Sequence, residues 1–131
     1  MRTWKLNFNC GMAEHNDLGK KGEEIAAGYL QKKGYQILEK NWRQWRNEID
    51  LIAMDGKYLV IIEVKTRQSN FFGEPEMAVT HDKQKALIRA ANAYVRYKNI
   101  NCEVRFDILS VIISKTTEQI HHIEDAFYPT L

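Results

Sequence analysis

Disulfide scaffolds are excluded first. The chain carries only two cysteines, Cys10 and Cys102, at no CxxC spacing. That is too few for a framework, and they read as unpaired thiols of a reducing compartment. Long apolar runs are missing as well. No window approaches the roughly 18 apolar residues that a membrane span needs, and the opening MRTWKLNFNCGM lacks the apolar segment of a secretory leader. A cytoplasmic location without a membrane partner is expected. Excess charge of one sign is scarce too. At a net charge of +2, any hold on nucleic acid must come from a local basic patch, not from bulk attraction. Neither repeats nor Pro/Gly/Ser-rich linkers occur, so 131 residues are read as one domain. No Ser-His-Asp or Cys-His set can be assembled. GKKGEE at residues 19–24 lacks the spacing and the preceding strand of a phosphate loop. His121 and His122 have no partner at zinc-ligand spacing.

What is present is an ordinary globular composition, 44% hydrophobic and 27% charged, with enough length for one core. Residues 1–12 read as an N-terminal extension and 13–131 as the domain. Within the extension, Trp4, Leu6 and Phe8 alternate with polar neighbours, which fits either a short edge strand or a disordered segment. From Asp17, a candidate N-cap, the pattern is helical, with Ile25, Ala26, Tyr29 and Leu30 on one stripe and Gly34 as a stop. Strands are predicted over 35–42, 48–54 and 57–66. A second helix over 81–98 follows, capped by Thr80 or His81 and striped by Leu87, Ala90, Ala91 and Tyr94. Strands over 104–114 and 119–125 close the chain. The order αβββαββ predicts an α/β domain with a mixed sheet and flanking helices.

The second and third strands, EIDLIAMDGKYLVIIEVK, carry the chemistry. Asp55-Gly56 between two apolar runs is a hairpin signal. A two-residue loop there pairs Asp50 with Ile61 and Glu48 with Glu63. Alternation then puts Ile49, Leu51, Ala53, Tyr58, Val60, Ile62 and Val64 on one wholly apolar face. The other face is split: Ile52, Leu59 and Ile61 at the turn end, and Glu48, Asp50, Glu63 and Lys65 bunched at the far end. Asp50 and Glu63 become diagonal neighbours, roughly 7–8 Å apart at the backbone. Bunched carboxylates repel, and burial raises that cost. A hard divalent cation relieves it, and Mg²⁺ (or Mn²⁺) commonly takes one or two carboxylates while keeping water. Asp50, Glu63 and the Val64 carbonyl form such a half-shell, with Lys65 placed to orient or deprotonate a metal-bound water. This outlines a metal-assisted phosphodiester hydrolysis site. The same spacing also fits a surface Glu63–Lys65 ion pair with Glu48 and Asp50 simply exposed.

Four blocks, GEEIAAGYLQKKGYQILEKNW, NEIDLIAMDGKYLVIIEVKTR, FGEPEMAVT and VRFDIL, resemble the YraN family of predicted endonucleases. That family is similar to archaeal Holliday-junction resolvases within the PD-(D/E)xK superfamily. The resemblance spans residues 17–127. It implies a restriction-endonuclease-like fold and a Mg²⁺-dependent endonuclease acting on DNA, on branched or processed structures. It assigns Asp50 and Glu63 as metal carboxylates, Lys65 as the motif lysine, and Glu23 as the acid that a helix contributes. Glu24 stands beside Glu23, and a helix N-terminal acid is an equally ordinary reading of either. Asn47 departs from the family's usual glycine, yet asparagine tolerates a left-handed turn. Resolvase-like relatives act as dimers, so a homodimer is admitted. The rival expectation is a binding module that keeps the fold without cutting.

Phosphate contacts are sought among Arg43, Arg46 and Arg67, at the charged end of the hairpin. Lys83, Lys85, Arg89, Asn92 and Arg96 on the second helix form either a solvated face or a track for a phosphate backbone. Phe71 and Phe72 read as loop anchors on the core or as base-stacking residues. Trp42 and Trp45 admit the same two readings, with Trp42 assigned to the core.

Overall fold

The computed structural model describes the backbone of residues 3–69 and 79–129, with side chains from residue 17 onward in those spans. The elements are α1 (Thr3–Lys32), β1 (Gln36–Gln44), β2 (Asn47–Asp55), β3 (Tyr58–Gln68), α2 (His81–Lys98), β4 (Glu103–Ile113) and β5 (Glu118–Phe127). This is the expected αβββαββ order. The five strands form one mixed sheet in the order β1-β2-β3-β4-β5. Only β3 and β4 run parallel, because the chain between them crosses over through α2 instead of turning back. Among the described residues no helix is long and apolar enough to cross a membrane.

Each face of the sheet is covered by one helix. Ala26, Ala27 and Leu30 of α1 pack on Leu51, Val60, Ile62, Leu109 and Val111. Leu87, Ala90, Ala91 and Tyr94 of α2 pack on Ile52, Leu59, Ile61 and Phe106. Trp42 stands edge-on to Tyr94, with ring centroids 5.2 Å apart, as its core reading anticipated. Thr80 is the N-cap of α2, and its hydroxyl accepts the Lys83 N–H at 3.1 Å. Gly34, at φ 98°, ends α1 in the left-handed region that a side chain disfavours.

Five expectations are corrected. No edge strand forms near the N-terminus, because the backbone is helical from Thr3, and Asp17 therefore lies inside α1 instead of capping it. The β2–β3 loop is Gly56-Lys57, with Asp55 paired to Tyr58, not Asp55-Gly56. Gly56 takes the positive φ of 58°, which moves the turn one residue along and the pairing by two. Ile49 does not share a face with Leu51: it joins the α2-side core while Leu51 joins the α1 side. Finally, the left-handed residue of the β1–β2 turn is Trp45, at φ 57°, not Asn47. Phe71 and Phe72 lie outside the described residues.

The VRFDIL block builds a buried polar brace. Asp107 is 1% exposed. It accepts two bonds from Arg105, each 2.9 Å, one from the Asp125 N–H at 3.0 Å, and pairs with His122 Nε2 at 2.8 Å. Arg105 also donates to Asp55 at 2.9 Å and to the Tyr35 hydroxyl at 2.6 Å. The brace ties β4 to β5, to the β2–β3 turn and to the end of α1. His122 is thereby a structural group, and no zinc role is needed for it.

Candidate metal centre and active site

The site forms where β2 and β3 part. Their ladder runs from Asp55↔Tyr58 to Leu51↔Ile62 and stops. One step further the same register would set Asp50 opposite Glu63, not diagonal to it, and the two carboxyls interact directly. At Asp50 the side chain takes over the backbone's role. Its Oδ2 accepts the Val64 N–H at 2.9 Å, supplying a partner that β2 no longer offers. The N–H and C=O of one strand residue leave the same edge, so the Val64 carbonyl points to the side on which Asp50 stands. The interrupted alternation at Ile49–Leu51 belongs to this divergence.

Electrostatics mark the pair. Glu63 is only 9% exposed. Burial first, and then the Asp50 charge, push its carboxyl up to about 7. Burial raises Asp50 as well, opposed by the Val64 N–H and by a hydrogen bond with Glu63. Each carboxyl thus resists ionising beside the other. Lys83 of α2 stands 3.8 Å from Glu63 Oε2. Burial, with Arg67 adding to it, lowers Lys65 below the usual lysine range, against the pull of Glu63.

Glu23 reaches the same neighbourhood from α1. Its carboxyl is raised by burial and by the Asp50 and Glu48 charges, and opposed by a hydrogen bond with Asn41. Glu24 is exposed, so the two adjacent acids are distinguished. What places Glu23 is Gly22: a Cβ there would overlap the Thr66 side chain of β3, so only glycine lets α1 approach so closely. Asn41 takes φ 51° to present its side chain. Neither contribution was found from the sequence, although a glycine beside a motif acid and an asparagine inside a strand were the available signals. Ser110, paired with Lys65 across the β3–β4 ladder, was also missed. Its hydroxyl is buried without a partner among the described residues.

The other candidates are dispersed. Arg43 pairs with Glu48 at 3.2 Å, both well exposed, and Arg46 is exposed in the β1–β2 turn. Arg67 donates to the Thr66 carbonyl at 2.9 Å. Lys85 is exposed on α2, and Arg89 donates to Asn47 Oδ1 at 3.2 Å. Among the described residues no group of three or more His, Cys, Asp or Glu side chains gathers as a metal cage. The carboxylate pair is therefore the candidate centre, with Glu23 beside it and outside any such trio.

Comparison with known proteins adds a family but no chemistry. The model of a family described as "Uncharacterised protein family UPF0102" matches residues 22–111. A UPF0102 protein of Phocaeicola vulgatus is 48% identical over 120 residues, covering 92% of this chain and 99% of the relative. One from Flavobacterium psychrophilum is 50% identical over 117 residues, covering 89% and 98%. A third, from Chlorobium chlorochromatii, is 49% identical over 118 residues, covering 86% and 92%.

Proposed function

The chain belongs to the uncharacterised protein family UPF0102, and from the carboxylate pair it carries we propose that it is a Mg²⁺-dependent endonuclease hydrolysing phosphodiester bonds in DNA. The observation that carries this reading is Asp50 facing Glu63 at the point where β2 and β3 separate. A buried carboxyl beside a half-buried one forms an oxygen donor set suited to a hard divalent cation. Asp50, Glu63 and the Val64 carbonyl would hold it. When bound, such a cation makes water more acidic and offsets charge growing on a phosphoryl group.

The protein's own groups then have distinct tasks. Lys65, more easily deprotonated than an ordinary lysine, takes a proton from the attacking water or stabilises the phosphate. Glu23, steadied by Asn41, adds an acid from the α1 side. Lys83 leaves Glu63 for a phosphate oxygen once the carboxylates hold a metal. Arg43, Arg46, Arg67, Lys85 and Arg89 contact the DNA backbone. The test is cleavage of linear, flapped and branched DNA with Mg²⁺ or Mn²⁺. Asp50→Asn and Glu63→Gln are each expected to lower the rate by about 10²–10³-fold. Unchanged cleavage in Asp50→Asn sinks the proposal.

A second reading rests on Lys83. Its ammonium already supplies a positive charge to Glu63, as a metal-free binding module would need. Salt-sensitive DNA binding with no cleavage under any divalent ion would favour that reading.

A further inference from the structure

The β1–β2 turn carries a tryptophan in an unfavourable place. Trp45 is 98% exposed. It is the first of two loop residues between the paired Gln44 and Asn47, and has φ 57° while Arg46 is not in the positive region. A positive φ at the first of two loop residues is a feature of hairpin turns that favours glycine or asparagine at this position. A left-handed backbone crowds a bulky residue's Cβ against the following carbonyl, and water surrounds the indole. In the free protein neither cost is offset by packing, which points to a surface used for binding.

The surroundings say what it binds. Arg46 is its neighbour in the turn and Arg43 lies two residues before it. Asn47 tethers the turn to α2 by accepting from Arg89 at 3.2 Å. Asn47 also forms part of a groove of about 700 Å³ whose walls include Lys85, Ile88, Arg89, Arg96 and Tyr128. Tyr128 is 69% exposed, and no Asp or Glu lines the groove among the described residues. Cations interleaved with open aromatic rings match the chemistry of an unpaired nucleic-acid strand, which offers both phosphates and free base faces. A continuous duplex would engage the cations and leave both rings without a partner. Asn47 is three residues from Asp50 on β2, so the edge of the groove lies about 10 Å along the strand from that carboxylate.

We propose that Trp45 stacks on an unpaired base at a junction between single-stranded and duplex nucleic acid, with the strand continuing along the α2 groove past Tyr128. This rests on the nuclease reading above and narrows its substrate to DNA with a single-stranded segment beside the scissile bond. The test measures binding of labelled single-stranded, duplex and forked oligonucleotides to the full chain in EDTA, by fluorescence anisotropy. Trp45→Gly is expected to weaken binding to forked and single-stranded DNA about tenfold, leave duplex binding within about twofold, and maintain or raise Tm by removing the left-handed strain. Trp45→Phe is expected to restore most of the affinity. The inference is overturned if Trp45→Gly binds every form as the wild type does, if it lowers Tm, if it changes only the oligomeric state, or if no form is bound. Binding that depends on Trp45 without any metal-dependent cleavage would overturn the nuclease reading alone. Cleavage whose fork-to-duplex ratio is the same in Trp45→Gly would overturn the stacking inference alone.

Discussion

At the scale of single residues, Glu63 is the most informative group. Its folded carboxyl titrates near 7, above the ordinary 4.5, because burial and Asp50 disfavour its charge. The folded state therefore binds a proton more tightly than the unfolded chain. Stability falls as pH rises from about 4.5 to about 7, and above that range the ionised pair carries its full cost. In EDTA, Glu63→Gln is expected to melt no lower than the wild type at pH 6 and higher at pH 8, followed by circular dichroism. At the proposed site a metal would compete with the proton on Glu63, so wild-type Mn²⁺ affinity should rise about tenfold per pH unit below 7 and level off above it. Titration calorimetry in buffers of different ionisation enthalpy should show about one proton released per ion near pH 6. Glu63→Gln should abolish the binding. Asp50, Glu63 and Lys65 were legible because acids inside apolar strands break a strict alternation. Glu23 is chosen over Glu24 through the resemblance alone, because spacing cannot separate adjacent acids whose exposure depends on how α1 docks.

Elements are held by a few contacts whose loss has separate consequences. Gly22 sets the approach of α1 to β3 through Thr66. Gly22→Ala is expected to cost about 1–3 kcal/mol from overpacking and to shift Glu23 from the carboxylate pair, read as a lower Tm together with lower cleavage. Asp107 has a purely structural task. Burial alone would raise its carboxyl, but His122 and Arg105 outweigh that and hold it below the usual range. Its stabilisation is thus present above the unfolded pKa and lost as pH falls through the lower folded one. Asp107→Asn leaves Arg105 buried beside a neutral partner and should destabilise by about 3–5 kcal/mol, seen as an earlier denaturant midpoint with unchanged Mn²⁺ stoichiometry. The bounds of α2 were legible to the residue because Thr80 caps it and its apolar stripe has helical period. The start of α1 was not, since Trp4, Leu6 and Phe8 suit a strand as well as a helix.

For the molecule as a whole, the proposed metal site lies on the packed sheet, so binding of a metal there would be linked to folding. At Mn²⁺ one hundredfold above its dissociation constant the folded state gains about 2.7 kcal/mol, a Tm rise of roughly 8–14 °C for a chain of this size. Asp50→Asn should remove that rise, by scanning calorimetry. A cut in both strands of DNA needs two such sites, so a homodimer on the substrate is proposed, and sedimentation with and without forked DNA would reveal it. The sequence by itself determined the order of elements, the mixed α/β class, the apolar faces except at Ile49, and the acidic end of the hairpin, because these follow from local period and turn chemistry. The tertiary structure alone decided the register. A shift of two residues keeps every side chain on its face, so alternation cannot detect it, yet it turns Asp50 and Glu63 from diagonal neighbours into opposing ones. Trp42, packed edge-on to Tyr94, was legible as core, but only the structure left Trp45 open at the turn, because burial depends on what packs above a strand and not on the strand's own sequence.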